Sequence, residues 1–154
     1  PGFGSSWFNE VDLKFSAAHN PESMKNDVRE TQDVYVILIA MIEKEEVYET
    51  MRALSEEISK RMKPPKIIIT EIKSGRKPSL SPEILTEIIH SVSPILLTII
   101  PITDLTSAFE ESFRLAVKEG GRIMVTGSIY LLGEIISKVV SDRGLDLRKV
   151  MTIH

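Results

Sequence analysis

The chain has 154 residues, the size of one domain, and a chain this long buries roughly 68–70% of its unfolded surface without covalent staples. It contains no cysteine, which excludes disulfides and thiolate metal sites and points to a reducing, cytoplasmic setting. A formal net charge of -3 offers no global basic field for nucleic acid, and no apolar run approaches the roughly 18 residues of a membrane span. Neither nucleic acid nor membrane is therefore an expected partner. The N-terminus has no basic or apolar signal region, and it begins with Pro rather than Met, as a fragment or a processed chain would.

Residues 1–10 open with Gly, Pro and Ser and read as an extended linker, with a single domain over 11–154. Val11 to Phe15 alternates apolar and polar, the pattern of a strand. Ser16-Ala17-Ala18-His19-Asn20-Pro21 follows, and Asn20 with Pro21 predicts a capped helix start. A His and an Asn just after a strand also stand where open α/β sheets bind ligands. A helix cap and a solvated ring account for the same pair, so both readings stay open.

Val34 to Ile39 is a β-branched run, predicted as a strand covered on both faces. Glu43-Lys44-Glu45 comes next, and a helix is predicted from there to about Met62, with Val47, Met51, Leu54, Ile58 and Met62 as its apolar stripe. Acids in a first helical turn complement the helix dipole, which is one account of Glu43 and Glu45. Lys63-Pro64-Pro65 stops the helix, and Lys66 to Thr70 is a third strand. Glu71 to Ser81 reads as an exposed loop whose Lys73, Arg76 and Lys77 are either solvated or available to an anionic tail. Ser81-Pro82-Glu83 opens a helix with Ile84, Leu85, Ile88, Ile89 and Val92 as its buried face.

Ile95 to Ile100 is a fourth strand, and Thr103-Asp104 precede a helix over Leu105 to Glu119 that ends at Gly120-Gly121. Its core side is Leu105, Phe109, Phe113, Ala116 and Val117. Ile123 to Val125 is a short buried strand, Thr126-Gly127-Ser128 turns the chain, and Ile129, Leu132, Ile136, Val139 and Val140 form the stripe of a last helix. That turn is either a strand-to-helix connection in which Gly127 relieves strain and Ser128 caps, or a seat for an anion such as phosphate at a helix N-terminus. Asp142-Arg143-Gly144 leads to a final strand, Lys149 to Ile153, expected at an edge and antiparallel because so little chain separates it from the helix. Strands alternating with helices throughout define an α/β fold, Rossmann-like and three-layered (α/β/α), with a mostly parallel sheet of about six strands and about five helices.

Two stretches carry a resemblance to a known family. V-T-G-S-I-Y-L-L-G-E, from Val125 to Glu134, resembles the closing motif of the folylpolyglutamate synthase and dihydrofolate synthase family, which belongs to the Mur ligase-like, ATP-dependent amide-forming enzymes. Ala18-His19-Asn20-Pro21 is similar to the end of that family's D-G-A-H-N-P signature, with Ser16 and Ala17 in place of the Asp and Gly. Glu43-Lys44-Glu45 resembles a D-K-D turn of the family, and Pro1-Gly2-Phe3 its P-G-R segment without the Arg.

The resemblance implies the family's C-terminal domain, itself a Rossmann-like unit. It implies His19, Asn20 and Ser128 as residues of the substrate and nucleotide cleft, with Ser16 and Lys44 beside them; no catalytic residue and no metal ligand is assigned to this chain. At Ser16 a hydroxyl stands where the family has a carboxylate, and Glu43 and Asp104 are the acids considered as compensation. The implied reaction adds glutamate to a folate-type carboxylate through an acyl phosphate, using ATP and Mg²⁺. No G-x-x-x-x-G-K-[ST] phosphate loop occurs in the sequence, so ATP and Mg²⁺ are expected to be held mainly by an N-terminal ATP-binding domain, supplied in cis or in trans. The chain alone is expected to be inactive. The other reading is a stand-alone, non-catalytic ligand-binding or regulatory module derived from such a domain. A small Rossmann-like nucleotide binder is disfavoured, because the first strand lacks G-x-G-x-x-G after it.

Overall fold

In the computed structural model the described residues are 11–75, 77–119, 121–140 and 151–153. The linker 1–10 with Pro1-Gly2-Phe3, Arg76, Gly120, Asp142-Arg143-Gly144, the first residues of the last strand and the side chains of Val139 and Val140 lie outside them. In chain order the elements are β1 (Asp12–Phe15), α1 (Pro21–Glu30), β2 (Val34–Ile39), α2 (Val47–Ser59), β3 (Lys66–Ile69), α3 (Pro82–Val92), β4 (Ile99–Pro101), α4 (Leu105–Glu119), β5 (Arg122–Thr126), α5 (Ile129–Glu134), which runs on as a π-helical turn (Ile135–Val140), and β6 (Met151–Ile153).

The six strands form one sheet in the order β4-β3-β2-β5-β1-β6, and every pairing is parallel. Residues alternate across a strand, so Val36 and Leu38 of β2 enter one core while Ile37 and Ile39 enter the other. The first core is closed by α4 and α5, through Phe109, Phe113, Leu131 and Ile135; the second by α1, α2 and α3, through Met24, Met51, Leu54, Ile58, Leu85 and Ile89. This is the three-layer α/β/α architecture that the alternating pattern predicts. The rings of Phe109 and Phe113 meet edge to face at 4.9 Å and are fully buried, each contributing about 1.5–3 kcal/mol by leaving water.

Several expectations are corrected. β6 is an edge strand but pairs parallel to β1, Leu13 opposite Met151. The helical segment from Ile129 counts as part of the connection between β5 and β6, which gives the dozen or more residues a parallel crossover needs. Glu43 to Glu45 precede α2 instead of forming its first turn, and Met62, three residues beyond the last helical residue, is fully exposed. Ile84 of α3 is half exposed, because the helix packs on Leu85, Ile88 and Ile89. β4 starts four residues later than expected. Ser93 bonds the backbone of Ile95 in a turn, and Ile95 and Leu96 remain exposed. In α5 the buried residues are Leu131, Glu134 and Ile135, while Ile129 and Ile136 of the expected stripe face outward. Apolar residues surround this short helix, so periodicity alone does not choose its inner face.

Candidate functional site: a crevice at the ends of β1, β2 and β5

β1 and β5 are neighbours, yet the chain leaves β1 toward the face covered by α1 and leaves β5 toward the face covered by α5. Such a divergence opens a crevice at the carboxyl ends of the strands, where open α/β sheets bind ligands. A pocket of ≈ 280 Å³ occupies it. Ala17 and His19 come from the end of β1, Ile42 and Lys44 from the end of β2, and Gly127, Ser128, Ile129 and Tyr130 from the turn into α5.

The turn is set by Gly127, whose φ of +104° suits glycine and where a Cβ would come 2.3 Å from the Ala40 carbonyl oxygen. This close approach seats the β5 turn directly against the end of β2. Ser128 caps the helix, its Oγ accepting the Tyr130 N–H at 3.2 Å. α5 has only six α-helical residues before its π-helical turn, and the capping hydroxyl already takes one of its free N–H groups.

His19 is exposed, and its Nδ1 lies 3.0 Å from the Ala17 carbonyl oxygen. That carbonyl only accepts, so Nδ1 carries a proton and Nε2 is left for another partner. Asn20 turns away from the crevice. Its Oδ1 accepts from Ser23 N and Ser23 Oγ, both at 2.9 Å, in a capping box that starts α1. Lys44 is half-buried, and desolvation holds its ammonium below the ordinary lysine value while Glu46 opposes the shift. It also borders a shallower depression of ≈ 480 Å³ shared with Glu43, Glu45 and Lys77.

Ser16 lies beneath the pocket. It is buried, accepts the Ala18 N–H at 3.1 Å and the Thr126 hydroxyl at 3.2 Å, and donates to the Asp27 carboxylate on α1. The carboxylate beside Ser16 is therefore Asp27. Neither Glu43 nor Asp104 fills that place: Glu43 is exposed, and Asp104 accepts the Ser107 N–H at 2.9 Å at the start of α4. Ser16 does reach a small cavity of ≈ 140 Å³ that adjoins Ser128 and Ile129. Thus the fold brings His19, Lys44 and Ser128 to one pocket, sets Ser16 under it and commits the Asn20 side chain to α1. Tyr130 was not singled out from sequence, although it sits inside the V-T-G-S-I-Y-L-L-G-E motif.

A larger depression of ≈ 550 Å³ opens at the other end of the sheet. Its cations are already engaged: Arg29 and Lys60 with Glu57, Lys63 with Glu119, and Arg61 Nη2 with the Val28 and Thr31 carbonyls. Among the described residues no group of three or more His, Asp or Glu side chains is placed to hold a metal ion. Nor is any helix there long and apolar enough to cross a membrane.

The sheet order and crevice define a Rossmann-like α/β domain with a pocket at a topological switch point. No protein-family model and no curated protein matches the sequence. Among solved structures the fold is shared with Mycobacterium tuberculosis folylpolyglutamate synthase complexed with ADP and AMPPCP, at a TM-score of 0.59 and 20% identity over 84% of this chain. The same enzyme complexed with ADP gives a TM-score of 0.58 at 20% identity over 84% of the chain. In both cases the chain spans 29% of the length of the protein it matches.

Proposed function

We propose that residues 11–154 act as one domain of a folylpolyglutamate synthase-like, ATP-dependent ligase, closing over an ATP-binding domain that lies elsewhere. The observation that carries this reading is the convergence of His19, Lys44 and Ser128 on one pocket at the ends of β1, β5 and β2, in a fold shared with a folylpolyglutamate synthase. The reaction is glutamate addition to a folate-type carboxylate through an acyl phosphate. ATP supplies the phosphoryl group, and Mg²⁺ is held by the other domain.

This chain's residues have narrower tasks. Lys44 attracts a carboxylate or phosphate oxygen, and its partial desolvation strengthens that attraction. His19 Nε2 accepts a hydrogen bond from the incoming amine. Ile42, Ile129 and Tyr130 give the pocket apolar walls that exclude water from a reactive acyl group. Asn20 contributes by fixing the start of α1 and so the place of His19. The protein works in the cytoplasm on this reading.

One observation favours the alternative, a non-catalytic ligand-binding or regulatory module: no carboxylate stands at position 16, and the Ser16 hydroxyl is occupied by Asp27. The test uses native protein from its source cells. The ligase reading expects a mass well above 17.3 kDa, or a co-purifying chain with a phosphate loop, and ADP release that needs both glutamate and a folate-type substrate. In that protein H19A and K44A should each lower kcat/KM for glutamate about tenfold or more. Native protein that releases no ADP in response to glutamate overturns the ligase reading.

A further inference from the structure

We propose that Glu134 is a positioning residue, holding the 71–80 loop as a strap from α5 to the segment before Lys44 and so fixing one wall of the pocket against the other. The inference rests on the pocket being the ligand site proposed above.

Glu134 is only 6% exposed, and its Oε2 accepts three hydrogen bonds from the loop: Lys73 N at 2.7 Å, Ser74 N at 2.8 Å and Ser74 Oγ at 2.7 Å. Among the described residues its buried Oε1 has no partner, so those three bonds must offset the cost of burying the carboxylate. One residue further, Gly75 has φ +112° and lies against the Tyr130 ring, 3.3 Å from where a Cβ would stand. Tyr130 is itself a wall of the pocket.

The other end of the loop is tied across the crevice. Ser79 bridges Ile42, Glu43 N donates to Pro78 O at 3.0 Å, and Leu80 N donates to Met41 O at 2.8 Å. These bonds end one residue before Lys44. Between the two anchors Gly75 and Lys77 are exposed. Releasing Glu134 therefore removes the loop's hydrogen-bonded tie to α5, leaving the packing of Ile72 and Gly75, and loosens the coupling of the Lys44 wall to Ser128 and Tyr130.

The test compares the unaltered chain with E134A, E134Q and S74A by amide hydrogen exchange and by trace acetylation of lysines with acetic anhydride, using exposed Lys25 as internal reference. E134A should speed exchange at Lys73 and Ser74 about tenfold or more and shift Lys44 labelling relative to Lys25 by about twofold or more. E134Q keeps an oxygen acceptor and should hold amide exchange within about threefold and Lys44 labelling within less than about twofold of the unaltered chain. S74A removes one bond from an exposed residue and should shift exchange of the position 74 amide in the same direction, less strongly.

Unchanged Lys73 and Ser74 amides in E134A overturn the anchor. Opened amides with unchanged Lys44 labelling overturn its positioning role. If E134A does not fold, S74A decides: unchanged exchange at Lys73 and at the position 74 amide, with unchanged Lys44 labelling, rejects the strap. Neither readout involves ATP, glutamate or folate, so failure here is distinct from failure of the ligase reading.

Discussion

The Ser16 hydroxyl donates to the Asp27 carboxylate, joining the end of β1 to α1 across eleven residues of sequence. The same oxygen accepts from Ala18 N and Thr126 Oγ1, so one buried hydroxyl links β1, α1 and β5 beneath the pocket. S16A should destabilise the domain by about 1–3 kcal/mol, because it strands the buried Ala18 N–H and leaves the Thr126 hydroxyl with the weaker Met24 sulfur. S16D places a second carboxylate against Asp27. Like charges raise the folded-state pKa of the pair, so the penalty is largest at neutral pH and shrinks as pH falls and one carboxyl takes a proton. Urea denaturation at pH 5 and pH 7.5 checks both. An S16D variant as stable as the original at both values contradicts the packing of Ser16 on Asp27.

Gly127 presses the turn after β5 against the end of β2. G127A should lose about 1–3 kcal/mol to backbone strain alone, with added cost from a Cβ driven toward the Ala40 carbonyl. Because Ala40 and Met41 lead into the segment carrying Lys44, the variant should also change the acetylation rate of Lys44. Thermal unfolding combined with that labelling separates a local shift from general loss of structure.

Lys14 is a buried cation at 3% exposure, bonded to the Thr31 hydroxyl. Burial lowers its pKa from the ordinary lysine value of 10.5, with Asp27 and Glu30 opposing the shift and Arg122 adding to it. The folded state therefore releases the proton more readily than the unfolded state. Stability should rise with pH through the window between the lowered folded value and 10.5, where the unfolded chain binds more protons. K14M should be more stable than the original by about 1 kcal/mol at pH 7, with an advantage that narrows as pH rises through that window. The Thr31 hydroxyl keeps its bond to Asp27 O at 2.7 Å, so the substitution orphans nothing there. Denaturation midpoints at pH 7 and pH 10 test the sign, and K14M less stable at pH 7 defeats the argument.

The layers of this fold were readable because β2 and β3 are β-branched runs between amphipathic helices, and because Asn20, Ser81 and Ser128 cap where such residues should. Faces were less readable where a helix is short or apolar all round. Ile129 and Ile136 looked like core, but Leu131 and Ile135 are the buried pair, and Met62 continued a heptad-like spacing beyond the point where the backbone stops being helical. Residues after strands located the crevice, since the strand-end rule needs no tertiary detail. The contacts that shape it are not local. Ser16 with Asp27 depends on how α1 packs, and Glu134 with Ser74 spans 60 residues, so no spacing in the sequence announces either.

The place of β5 bears on how the chain is built up in time. It sits between β1 and β2, and Asp12 finds Arg122 only across 110 residues. β1 has no earlier strand to pair with, since its two neighbours are β5 and β6. During synthesis β1 must therefore wait unpaired until nearly the whole domain has emerged. β2, β3 and β4 can associate meanwhile as a partial sheet whose open edge accepts β5. A ribosome-stalled chain ending before Arg122 should expose that edge to chaperones, and the domain should become protease-resistant only after β5 is released.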